Sequence, residues 1–161
     1  MAKIILNTSD LEAGFFDHKE LYAIGSPAKE HRLCWEINRE FGLAFYRQPE
    51  LDVQVVVRQR KTGSMNSLFE QSESNELLVN YFSVYQHDLP DNSSDPVYLY
   101  NNHCGNYRLI PELKTVDYFL LVPQPPKTDP EWAERFLKLS HILWMRRLVI
   151  PNLKSKNLLL L

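Results

Sequence analysis

Arg108-Leu-Ile-Pro-Glu-Leu-Lys-Thr-Val-Asp-Tyr-Phe-Leu-Leu-Val122 divides into a proline-led turn and a strand, and its place among other strand-like runs sets the fold. Pro111 fixes its own φ and drives Ile110 toward an extended geometry. A turn over Glu112 to Thr115 then leads into a strand over 116–122. Alternation predicts Val116, Tyr118, Leu120 and Val122 on one face, with Asp117, Phe119 and Leu121 on the other. Asp117 is then an acid on an apolar face, and a buried carboxylate needs hydrogen bonds or a cation. The expected partners are backbone N–H groups of the turn, Arg108 or Lys114.

Upstream, Gly105-Asn106 marks a turn, and Val97 to Asn101 reads as a strand reached through the turn-rich loop Leu89 to Pro96. Leu77 to Gln86 reads as one long strand, with Leu77, Val79, Tyr81 and Tyr85 opposed to Leu78, Phe82 and Val84. Leu51 to Gln59 is β-branched, with Val53, Val55 and Val57 on one face, and Lys61 to Ser64 is the expected hairpin turn. Phe15 to Gly25 reads as a further strand. A helix is then expected, with Ser26 as N-cap and Pro27 at its first position. Leu33, Cys34, Ile37 and Phe41 form its apolar face, Arg32, Glu36, Arg39 and Glu40 lie opposite, and Gly42 is the stop.

Downstream, Pro123, Pro125 and Pro126 end the strand of the quoted stretch. A second helix is expected from a cap at Thr128 or Asp129, with Pro130 in its first turn. Its core stripe would be Ala133, Phe136, Leu137, Ser140, Leu143, Trp144 and Leu148, with Arg146 and Arg147 in the last turn and Pro151 beyond. Trp132, Leu139, Ile142 and Met145 widen the apolar face, which suggests either a homodimer contact or a well-buried helix. The order strand-helix-strands-helix implies an α+β domain, an antiparallel meander of about five to seven strands with two main helices on one face. Residues 1–161 read as a single domain with a short C-terminal tail over 153–161.

The 161 residues are 44% hydrophobic and 24% charged, an ordinary balance for a globular chain. Met1-Ala-Lys-Ile-Ile-Leu-Asn holds too short an apolar run for a signal peptide, and Leu158 to Leu161 is too short to span a bilayer, so a cytoplasmic location without membrane attachment is expected. Cys34 and Cys104 have no CxxC spacing, which fits two separate thiols in a reducing compartment. The net charge of -2 weighs against a nucleic-acid platform. It is unevenly laid out: residues 62–107 contain no Lys or Arg and six acids, whereas 108–161 carry nine basic and five acidic residues. The two regions could neutralise each other within the fold or serve as complementary surfaces toward a partner.

Few residues assemble into chemistry. Glu112 and Asp117 are a candidate carboxylate pair for acid–base work or a metal, but nothing near them completes a site, so no catalytic, cofactor or metal residue is assigned. His103-Cys104 is poor spacing for two ligands on one metal. His31 and His141 lie on helix flanks without a nucleophile, and Cys34 reads as a small core residue. Tyr81, Phe82, Tyr85, Tyr98 and Tyr100 could stack bases, with Arg58, Arg60 and Lys61 supplying cations, although cross-strand packing accounts for them more simply.

The quoted stretch contains Ile110-Pro111-Glu112, three residues, then Val116-Asp117-Tyr118. It resembles the signature of the IPExxxVDY family, a set of small bacterial proteins. His31-Arg32-Leu33-Cys34-Trp35-Glu36-Ile37-Asn38 is similar to that family's Arg/Lys-Leu-x-Trp-x-Ile-Asn pattern, and Leu153-Lys-Ser-Lys-Asn-Leu-Leu159 to its usual ending. The resemblance brings no assigned catalytic residue, substrate or cofactor. It singles out the six signature residues as structural or partner-contacting, with Trp35 and Asn38 expected to pack against the turn at Glu112. The resulting expectation is a non-enzymatic protein-interaction domain. The alternatives are an RNA-associated accessory protein, or a small enzyme or ligand binder around Glu112 and Asp117.

Overall fold

The run Lys19–Gly25 is buried on both faces beyond its first residue, which places it inside a sheet rather than at an edge. The computed structural model describes residues 14–60, 75–89, 95–123 and 131–161. In chain order the elements are β1 (Lys19–Gly25), α1 (Glu30–Phe41), β2 (Tyr46–Arg47), β3 (Val53–Arg60), β4 (Asn75–Phe82) and β5 (Val84–His87). There follow β6 (Val97–Asn101), β7 (His103–Cys104), β8 (Tyr107–Arg108), β9 (Tyr118–Pro123), α2 (Glu131–Leu137) and β10 (Trp144–Leu148).

Six strands form one sheet in the order β10-β1-β9-β6-β5-β2, and its pairings are antiparallel. The mixed helix-and-sheet class therefore stands, but the simple meander does not. The first strand lies between the last two, with Leu21 opposite Leu121 on one side and Leu148 on the other. The reason is compositional. Leu21, Ala23, Phe119 and Leu121 fill one face of the sheet while Tyr22, Ile24, Tyr118 and Leu120 fill the other, so β1 and β9 bury most surface in the middle.

The helix-side core joins Leu33, Cys34 and Ile37 of α1 and Phe136 of α2 to Tyr22, Ile24, Leu99 and Leu120. The opposite face is covered too. Leu109, Ile110 and Val116 of the signature loop pack there with Ile150, Leu153 and Leu159 from the C-terminal 3-10 turns. The segment 153–161 is thus an integral cover rather than a trailing tail, and the Tyr100 hydroxyl donates to the Leu159 carbonyl at 2.8 Å. Val116, expected beside Tyr118, instead shares this core with Phe119. It precedes β9, so strand alternation does not govern it.

The second helix is the largest correction. It ends at Leu137, and Trp144–Leu148 is an edge strand paired along β1 from Leu21↔Leu148 to Gly25↔Trp144. Bonds of 3-10 type from Lys138 N–H to Arg135 and from Leu139 N–H to Phe136 close the helix. The Ser140 N–H then goes to the Glu36 carboxylate instead of continuing the ladder. Leu139 and Ile142 turn into the helix-side core and Met145 packs against it, so these three residues of the wide apolar face are used within the chain rather than offered to a second copy. Trp132 and Ala133 lie outside the described side chains. Gly25 makes the strand pairing possible: a Cβ there would come within 2.1 Å of Trp144 Nε1.

Three smaller differences follow from local hydrogen bonding. The first helix begins at Glu30, because Ser26 Oγ accepts from the Ala28 N–H in a turn of its own. Its stop is as expected: Gly42 is left-handed at φ 64°, with its N–H on Asn38 O. The strand read from Phe15 begins only at Lys19. The run Leu77 to Gln86 breaks at Ser83, where the Asp52 carboxylate takes the Val84 N–H at 3.2 Å and Ser83 O takes the Asn101 N–H at 2.9 Å. Phe82 therefore closes a separate two-stranded ribbon, β3–β4, and Val84 opens a strand of the main sheet. The hairpin turn expected at Lys61 to Ser64 lies outside the described residues, as does the helix cap at Thr128 or Asp129. The Gly105-Asn106 turn joins β7 to β8, with Gly105 at φ 55°.

Candidate functional site

The signature loop is folded around a residue that sequence reading passed over. Asn102 is fully buried between β6 and β7, where its Oδ1 accepts the Ile110 N–H at 2.9 Å. Its Nδ2 donates to the Val116 carbonyl at 2.8 Å and the Leu113 carbonyl at 3.2 Å. The backbone repeats the grip, Leu109 N–H bonding to Asn102 O and Asn102 N–H to Asp117 O. A buried loop must place its backbone groups on something, and a side-chain amide with both donors and acceptors does so economically. In a single sequence Asn102 looks like one more turn former between two strands.

Each signature residue then has a defined contact. Ile110 and Val116 fill the loop-side core, and Pro111 is exposed at the turn. The Glu112 carboxylate accepts from the Ser155 N–H and hydroxyl, both at 2.9 Å, and so ties the turn to the C-terminal segment. Partial burial raises the Glu112 carboxyl, but hydrogen bonds from its own backbone and from Ser155 carry it below the usual range. Asp117 Oδ2 accepts the Ser26 N–H at 2.8 Å, and the Asp117 N–H bonds to Ile24 O. The Tyr118 hydroxyl donates to Ala28 O at 2.5 Å, and burial pushes its titration far up. Val116-Asp117-Tyr118 thus clamps the loop between β1 and α1.

Asp117 lies neither on a sealed apolar face nor against Arg108 or Lys114. Its second oxygen is 2.9 Å from Nε2 of His103, which sits on β7 off the line a hydrogen bond requires. Glu112 and Asp117 accept hydrogen bonds from different segments, Ser155 and Ser26. Trp35 and Asn38 do not join them either. The α1 helix packs on the opposite face of the sheet, where Asn38 brackets Phe45 by accepting its N–H at 2.7 Å and donating to its carbonyl at 3.1 Å. Trp35 is 58% exposed, with Arg39 over its ring at 4.5 Å.

A second polar cluster was not anticipated. Glu36, expected on the solvent face of α1, is buried and accepts from Ser140 N–H (2.8 Å), Ser140 Oγ (2.5 Å) and His141 Nδ1 (2.8 Å). Burial alone would raise its carboxyl, and these donors more than reverse that, holding it below the ordinary glutamate value. A third cluster sits on β1, where buried Glu20 takes the Tyr22 hydroxyl at 2.5 Å and Arg147 at 3.0 Å. Burial first, and then Glu20, push Tyr22 up to about 12. A cleft of about 730 Å³ opens beside this pair, lined by Phe16, Lys19, Glu20, Arg147, Ile150 and Lys156 among others, and by neither Glu112 nor Asp117. Lys19 is itself paired with Asp95 at 3.1 Å. Among the described residues no group of three or more His, Cys, Asp or Glu is placed to hold a metal.

The aromatic residues considered for base stacking do not share a surface. Phe82, Tyr85 and Tyr100 are buried, Tyr98 is half-buried, and Tyr81 is exposed. Burial drives the Tyr100 hydroxyl well above its usual titration. Arg58 is exposed on β3, while the Arg60 side chain and Lys61 lie outside what is described.

Tyr81 belongs instead to an open apolar face. In the β3–β4 ribbon the register pairs Gln54 with Tyr81, Val56 with Val79, and Arg58 with Leu77. Directly opposed residues point to the same side. All six of these are exposed, Tyr81 at 54%, Val56 at 57%, Leu77 at 61% and Val79 at 39%. The other side carries Val53 and Val55, packed against the loop-side core, and buried Phe82. One face anchors the ribbon and the other is offered to solvent. Among the described residues no helix is long and apolar enough to cross a membrane. Comparison with known protein families, curated proteins and solved structures gives no match for this chain.

Proposed function

We propose that this chain is a non-enzymatic protein-interaction domain of the IPExxxVDY family, working in the cytoplasm, with the β3–β4 ribbon as its contact surface. The observation that carries the reading is the exposed row Leu77, Val79 and Tyr81 beside Val56. Other exposed large apolar residues, such as Trp35 and Leu143, lie elsewhere on the chain, whereas these four adjoin on paired strands, and contiguous apolar surface marks an interaction site. The free thiols of Cys34 and Cys104 fit a reducing compartment. The signature supports the same reading indirectly, since its carboxylates are engaged with the protein's own backbone at Ser26 and Ser155.

The test is a photo-crosslinking residue placed at Tyr81 in living host cells, with the same residue at exposed Leu143 as control. Nuclease-resistant protein adducts at position 81 above the control are expected. Adducts no more abundant than the control reject the reading, and adducts that nuclease removes transfer it to RNA. A ligand-binding reading is favoured by one observation, the cleft beside Glu20 and Arg147, rather than by Glu112 and Asp117. Thermal-shift screening with small charged metabolites tests it, and no shift that Arg147→Ala removes would leave it without support.

A further inference from the structure

We infer that the occupant of the ribbon face is a second copy of this chain, packed across a two-fold axis at Val56 and Val79. The inference rests on the interaction reading above and names its partner. Its ground is the register. An axis parallel to the ribbon and just above its open face, crossing the strands at right angles over the Val56–Val79 pair, lays β4 on β4 and β3 on β3 with their ends exchanged. Leu77 of one copy then meets Tyr81 of the other, Val79 meets Val79, and Val56 meets Val56. Arg58 meets Gln54, whose amide oxygen accepts from a guanidinium.

Each of the six described exposed residues finds a chemically suitable counterpart under that one operation. Arg58 is the single charge among the six, and the axis puts the two copies of Arg58 at opposite ends of the contact, so no like charges face each other. Isologous self-complementarity of this kind is the geometric requirement for a closed dimer. The four apolar side chains expose on the order of 400 Å² per copy, at the scale where such patches are functional. Doubled, and with Gln54 and Arg58 as rim, this reaches the lower range of specific interfaces, where association is weak and reversible. A dissociation constant in the micromolar range is expected.

The experiment is sedimentation equilibrium on purified wild type, Val79→Glu, Val79→Lys and an equimolar mixture of the two variants. Val79 sits on the axis, so either variant alone sets like charges against each other, and each should weaken the dimer at least tenfold. The mixture should restore it. Val79 is partly exposed, and circular dichroism melting of each variant at the wild-type temperature shows that folding is intact. A wild type that stays monomeric through the micromolar range, variants that still dimerise, or a mixture that fails to recover would each overturn the inference. A monomeric wild type whose position 81 still cross-links to another protein in cells would leave the interaction reading standing and remove only the second copy as its partner.

Discussion

Replacing Asn102 by alanine tests whether the signature loop is held by a side chain outside the motif. The substitution removes three hydrogen bonds, to the Ile110 N–H and to the Leu113 and Val116 carbonyls. Each partner left unsatisfied in the interior costs about 1–3 kcal/mol, less where water enters the space. We expect a loss of about 3–5 kcal/mol in urea unfolding at pH 7, and a fall in Tm of about 10 °C for a chain of this size. Asn102→Asp sharpens the test. It keeps the acceptor for Ile110 but turns two donors into a carboxylate facing two carbonyl oxygens. Burial and those dipoles raise its folded pKa above the unfolded value of about 3.9. The penalty of the charge is therefore absent below that value and grows as pH rises toward the folded one. Asn102→Asp should recover toward wild type in acid relative to Asn102→Ala. A loss under about 1 kcal/mol for alanine, or an aspartate variant whose deficit ignores pH, would show that the loop is held by its apolar contacts alone.

Gly25→Ala should destabilise by about 1–3 kcal/mol, since the new methyl displaces the Trp144 indole and opens the β1–β10 pairing; an unchanged urea midpoint would refute that close approach. Glu36→Gln should cost about 1–3 kcal/mol at neutral pH by weakening the bonds to Ser140 and His141. Because the folded carboxyl lies below the usual 4.5, its contribution is complete above that value and lost as pH falls through the lowered one. The gap between wild type and Glu36→Gln should thus close in acid, and a gap constant down to pH 2 would exclude the charged interaction.

Where the apolar period was strict, sequence and structure agree: Leu33, Cys34 and Ile37 do line the inner face of α1, and Gly42 does end it. The failure over 138–148 has a specific cause. Ser140, Leu143, Trp144 and Leu148 fit a helical stripe, but Trp144, Met145 and Leu148 also fit a strand, and β1 needed a partner along its outer edge. Local periodicity cannot weigh that long-range demand. Glu36 was misplaced for the converse reason, as its position on the helix was read correctly but the Ser140–His141 donors come from over 100 residues away. The ribbon was half legible. The alternation of Leu77, Val79 and Tyr81 was visible, whereas its exposure follows from the break at Ser83, which depends on Asp52.

The distribution of satisfied groups separates the two kinds of surface this protein presents. One oxygen of Asp117 holds the Ser26 N–H at the entrance to α1, and Glu112 holds the Ser155 N–H and hydroxyl of the C-terminal cover, so these side chains serve the protein's own backbone. The ribbon has the opposite character, because its backbone is paired within the hairpin and its open face carries side chains that gain from being covered. Two strands alone are marginally stable in water, and here only one face, through Val53, Val55 and Phe82, is anchored to the body. Covering the second face should therefore stabilise the ribbon itself, by linkage between binding and folding. Slowed amide exchange in β3 and β4 with rising protein concentration, while β1 and β9 stay constant, is the signature of that coupling. Exchange in the ribbon that is indifferent to concentration would mean that it is stable on its own and that its apolar face is not coupled to association.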